Sequence, residues 1–101
     1  MKRFKAYDLA VAYYHQTRSL KLPGYAKNQF NRAALSIALN LKEGRGRRTR
    51  KDQLHFFQIA MGSTRECQGL HELHPEAFND DQNTAVDRLA AALYLLIKRA
   101  I

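Results

Sequence analysis

Apolar residues recur along this chain at intervals of three and four, and nowhere do they alternate strictly with polar ones as a half-buried strand requires. Phe4, Tyr7, Val11 and Tyr14 mark a first helix over about 4–20, stopped by Pro23 and Gly24. Phe30, Ala33, Ala34, Ile37 and Leu41 share one face of a second helix over about 28–43, with Gly44 in the place of a C-terminal glycine cap. A third starts at Thr49, whose hydroxyl is suited to cap it together with Asp52, and runs to about 73, before Pro75. It carries two stripes, one of Leu54, Phe57, Met61 and Thr64, the other of Phe56, Ile59, Ser63 and Leu70. The fourth opens near Asn79, Asp80 and Asp81, with the acids suited to the positive end of a helix dipole, and closes with Lys98 and Arg99 at the negative end.

Four helices joined by short connections predict an all-α fold, an antiparallel up-down-up-down four-helix bundle forming one domain over 1–101. Every residue from 89 to 97 is apolar, although a bundle helix should leave one side in water. With the second stripe of the third helix, this run predicts a subunit interface and a homo-oligomer. The competing reading is an exposed alanine-rich side at Ala91 and Ala92, since alanine is tolerated anywhere on a helix.

Composition narrows the setting. Nine apolar residues are far short of the roughly twenty that span a bilayer, and the opening Met1-Lys2-Arg3 is not followed by the apolar core and cleavage site of a secretory signal. The lone Cys67 permits no internal disulfide and suits a reducing compartment. These features predict a cytoplasmic protein with no membrane partner.

Charge changes the picture more. The 17 Lys and Arg outnumber the 9 Asp and Glu, and residues 1–51 hold thirteen of the basic residues but only two acidic ones. Six of the thirteen lie in 42–51, around Gly44 and Gly46: Lys42, Arg45, Arg47, Arg48, Arg50 and Lys51. Two glycines able to adopt positive φ would present these side chains around a sharp turn, and arginine is the residue for bidentate phosphate contacts. The following helix start offers free N–H groups to an anion. Nothing here reads bases, so the expected partner is RNA or DNA held by its backbone, with Arg32 and Lys42 as outlying contacts on the same side. An acidic protein surface, or a merely solvated connection, competes with that reading.

Other chemistry is weaker. Arg50 and His55, Arg48 and His55, and Arg65 and His71 have spacings found in helical-bundle ribonucleases, but chance supplies about one such pair in a chain so rich in arginine. Cys67, His71 and His74 share a helical face and are metal-ligand types, yet Cys67 and His71 border the apolar stripe where a thiol and a hydrogen-bonded imidazole are ordinary core residues. Phosphate-binding glycine loops, paired carboxylates in an apolar setting and nucleophile elbows are lacking, so no enzyme, cofactor or metal is expected.

Asn40, Glu43, Gly44, Gly46 and Arg47 form an Asn-x-x-Glu-Gly-x-Gly-Arg segment, and Ala60, Gly62, Ser63 and Glu66 form Ala-x-Gly-Ser-x-x-Glu. In this order and spacing, and with Gln29-Phe30-Asn31-Arg32-Ala33-Ala34 upstream, the chain resembles the bacterial four-helix-bundle proteins encoded in 23S rRNA intervening sequences. The likeness is specific over about 28–66. It implies a bundle, assembly of some members into a ring, often a pentamer, and a basic surface that contacts nucleic acid, with no catalysis. A more distant similarity, to accessory proteins of diversity-generating retroelements, implies a protein-interaction scaffold for a reverse transcriptase instead. Ala38 departs from a common proline and Lys42 from a common alanine. A structural role stands beside the functional one: Asn40 and Glu43 are placed to satisfy backbone groups of the loop, and Gly62 and Ser63 to let another helix approach.

Overall fold

A computed structural model describes residues 4–100. Its elements are α1 (Lys5–Gln16), α2 (Gly24–Arg45), α3 (Arg50–Leu73), one 3₁₀ turn (Pro75–Ala77) and α4 (Asp80–Ala100), and the described residues contain no strand.

Contacts between neighbouring helices run in opposite residue order. Gln29 meets Glu66, Ser36 meets Ser63 and Gly44 meets Phe57 across α2 and α3. His71 meets Asn83 and Gln68 meets Asp87 across α3 and α4. Tyr13 meets Phe30 and Tyr7 meets Lys42 across α1 and α2. The packing is therefore antiparallel. α1 also packs on α4, where Gln82 Nε2 donates to the Gln16 carbonyl. On the two diagonals the backbones stay apart, and only side chains meet across the core. The four-helix bundle expected from periodicity is the fold found.

Tyr13, Phe30, Ile37, Leu41, Leu89 and Leu93 are fully buried. Phe30, Ile37 and Leu41 belong to the stripe read in α2, and Leu89 and Leu93 to the apolar run of α4, but in α1 the buried line is Ala6, Ala10 and Tyr13, while the expected Phe4, Tyr7, Val11 and Tyr14 are half-buried at its margin. In α3 the buried line is Phe57, Ala60, Thr64, Cys67 and His71, so Leu54 and Met61 lie at its margin. Of the second stripe, Leu70 is buried, Phe56 and Ser63 are half-buried and Ile59 is exposed.

Helix ends differ from expectation where tertiary packing intervenes. α1 stops at Gln16, the Thr17 hydroxyl donates to the Tyr13 carbonyl at 2.8 Å, and the chain then bends to bury Leu20. α2 starts at Gly24, with Pro23 as its cap residue accepting from the Lys27 N–H at 2.8 Å, and Ala26 already in the core. It runs unbroken through Ala38. Thr49 caps α3 as expected, its Oγ1 accepting from the Asp52 N–H at 3.1 Å. Asn79 and Gln82 form a reciprocal cap at the start of α4, each side chain bonded to the other's N–H at 2.8 and 2.9 Å.

Candidate nucleic-acid interface

Alternation of four helices brings the α2–α3 connection, the start of α1 and the end of α4 to one end of the bundle. Lys42 and Arg45 from α2, Arg47 and Arg48 from the connection, and Arg50 and Lys51 from α3 are all exposed there. Lys5, Lys98 and Arg99 join them. Among the described residues, these nine cations share that end with three acidic residues, Asp8, Glu43 and Asp52. Arg32 does not belong to the group: it lies thirteen residues before Arg45, about 20 Å along the helix. Lys5, Lys98 and Arg99 were missed by reading the charged run alone, although helix parity places them there.

Several cations are held by aromatic rings. Arg47 lies 4.6 Å from the Phe56 ring centre and is bridged to Glu43 at 2.7 Å. Arg45 lies 5.0 Å from Phe4 and Lys42 5.8 Å from Tyr7. Rings beneath the cations restrict their motion and leave the charge facing water. Arg48, Arg50 and Lys51 have no ion-pair partner among the described residues.

The glycines act differently from expectation. No glycine among the described residues has positive φ. Gly44 is inside α2 and buried, and Gly46 is the C-cap with φ −78° and ψ −8°. A Cβ on Gly44 would stand 2.6 Å from Phe57 Cε1, so this glycine is needed for close packing of α2 on α3 under the loop. Gly62 has open space where its Cβ would be, so no helix of this chain approaches it.

The remaining motif residues lie along the α2–α3 seam. Ser63 Oγ donates to Ser36 Oγ at 2.9 Å, Asn40 Nδ2 donates to the Ser36 carbonyl at 2.9 Å, and Gln29 Nε2 donates to Glu66. Asn40 thus bonds back into α2 and Glu43 holds the Arg47 side chain, so neither satisfies the loop backbone. Arg32 and Glu66 line the same groove, of about 500 Å³, with Leu35 and Leu39 on its rim.

The far end of the bundle holds Cys67, His71 and His74. His71 Nδ1 donates to Asn83 Oδ1 at 2.6 Å, and its Nε2 accepts from the Tyr13 hydroxyl at 2.7 Å. Burial lowers the His71 pKa below its usual value, against the opposing pull of Asn83 and Asp87. Burial likewise pushes Tyr13 far above its ordinary range and the Cys67 thiol up to about 12. Cys67 therefore stays a thiol inside the core, while His74 lies near Glu76 at 3.6 Å. Arg65 and His71 border one shallow groove, but Arg65 donates to Gln68 and both His71 nitrogens are engaged. His55 is exposed, edge-on to Phe56.

No helix among the described residues is long and apolar enough to cross a membrane. No curated protein matches the chain. A family profile described as 23S rRNA-intervening sequence protein matches residues 4–86, which include all four helices in part or whole and both motif segments. The chain belongs to the 23S rRNA-intervening sequence protein family.

Proposed function

We propose that this chain is a non-catalytic, oligomeric protein that holds the phosphate backbone of nucleic acid with the basic end of its bundle. The observation that carries the reading is the gathering, among the described residues, of nine exposed cations from all four helices and one loop against the side chains of three acidic residues. Five of the nine are Arg45, Arg47, Arg48, Arg50 and Arg99, and the guanidinium group presents a fork of donors that matches phosphate.

Two separate apolar faces support self-association. Leu35, Leu39 and Ile59 are exposed on the α2–α3 side, and Tyr94 and Leu95 on α4. α2 and α4 do not pack on each other within the bundle, so the two patches face different ways. Contact of one patch with the other on the next copy is heterologous, the kind of contact that builds a ring such as a pentamer when the rotation between copies closes. Contacts along helix sides leave the basic ends free on one rim, where repetition multiplies affinity.

Filter binding with structured RNA and duplex DNA at about 50 and about 200 mM salt tests the reading. With about six phosphates neutralised, log affinity falls against log salt with a slope of about −4 to −5. Absence of binding to both at the lower salt overturns it. Sedimentation velocity tests the assembly, and a single species at the 11.6 kDa monomer mass removes the ring.

A further inference from the structure

The basic end contains a depression of about 310 Å³ bordered by Arg45 of α2, Arg50 of α3 and Arg99 of α4. Phe4, Phe57 and Leu96 supply its apolar lining. Arginines from three helices line it, so the site is a product of the bundle rather than of the loop. No carboxylate residue among the described residues lines it. Arg45 is held over the Phe4 ring, which limits the orientations of its plane. Arg50 is the first residue of α3, whose opening N–H groups add positive potential, although that of Asp52 is taken by Thr49.

The like charges of Arg50 and Arg99 at one depression repel each other, and a bound anion of high charge relieves that repulsion. The shape then discriminates between kinds of phosphate. A phosphodiester within a strand carries one negative charge and continues on both sides, which suits the outward-facing Arg47 and Arg48. A phosphomonoester at a strand end has up to two charges, three free oxygens and a single attachment, so it can enter a depression. The volume is at the lower bound of about 300 Å³ for small-ligand sites, enough for one terminal group. The apolar lining offers contact to the terminal nucleoside.

We propose that this depression binds the terminal phosphate of a nucleic-acid strand, so that the protein engages strand ends as well as backbone. This rests on the nucleic-acid reading above. The test is fluorescence anisotropy with single-stranded oligonucleotides of one sequence, ending in hydroxyl, 5′-phosphate or 3′-phosphate. At least one phosphorylated form binds about tenfold tighter than the hydroxyl form, the size expected of charge-assisted hydrogen bonds to one extra anionic group. Arg99→Ala and Arg50→Ala each bring that ratio to about one. If Arg99 serves only the dipole at the end of α4, Arg99→Ala lowers thermal stability and leaves the ratio unchanged, which overturns the proposal. Equal binding of all three oligonucleotides overturns the end site and leaves the backbone reading standing. No binding of any of them at low salt overturns both.

Discussion

The two ends of the bundle treat polar groups in opposite ways. At the far end they answer one another inside the fold: Tyr13, His71 and Asn83 form a hydrogen-bonded chain, and the His71 ring stacks on Phe78 with centroids 3.7 Å apart. Phe30, fully buried, contacts the rings of Tyr13, His71 and Phe78. At the basic end the charged groups lie on the surface, resting on aromatic rings with their heads in water. A buried polar group without a partner is expensive, so the far end is closed by mutual satisfaction. Exposed cations carry no such requirement, and the basic end is free to serve a ligand. The comparison separates residues that hold the fold from residues available for binding.

The contrast is broken most severely by Phe30→Ala. We expect a loss of about 3–5 kcal/mol in chemical denaturation, from lost burial and the cavity left among three rings. At the opposite end, Arg47→Glu with Arg48→Glu should weaken nucleic-acid binding by about 100-fold in a titration while stability changes by less than about 0.5 kcal/mol. A comparable loss of stability there would mean that the basic end is structural after all.

Gly44→Ala tests the close packing beneath the loop. The added Cβ meets the buried Phe57 ring, and overpacking of about 1–3 kcal/mol exceeds the helix-propensity gain of about 1. A net destabilisation of about 1–2 kcal/mol is expected by thermal or chemical melting.

His71 sharpens the comparison through pH. Its pKa is lower in the folded chain than the ordinary histidine value of about 6.5, so below about that pH the unfolded chain takes up a proton that the folded chain resists. Stability from this group is complete above that value and falls as pH drops through it, by at most about 1.4 kcal/mol per pH unit for one proton. Denaturation curves of the parent and His71→Gln should converge on acidification. Parallel pH profiles would show that His71 is not the responsible group.

The smallest effect is expected at Gly62. With open space at its Cβ position, Gly62→Ala should stabilise α3 by about 0.5–1 kcal/mol. Loss of assembly in sedimentation, with the monomer still more stable, would assign this glycine to contact with another copy.

Much of this was legible in the chain. The three-and-four spacing of Phe30, Ala33, Ala34, Ile37 and Leu41 identified the buried face of α2, because burial of one helical stripe leaves a periodic trace. Thr49 announced the start of α3, since capping is a local interaction. The end of α1 was not legible, because the bend after it is set by the burial of Leu20 in a core that the other helices complete. Nor was the role of Gly44. A glycine near a helix end reads as a cap, and only the position of Phe57 shows that space was the requirement.

By itself, then, the sequence determined four helices, their order, the family motif and a dense basic segment at 42–51, all of which are properties of neighbouring residues. Tertiary structure decided which charges act together. It left Arg32 some 20 Å along α2 and brought Arg99, from the acidic half of the chain, beside Arg45 and Arg50. The reason is geometric: antiparallel helices reverse direction at each connection, so proximity in space follows helix parity, whereas charge counted along the chain follows residue number.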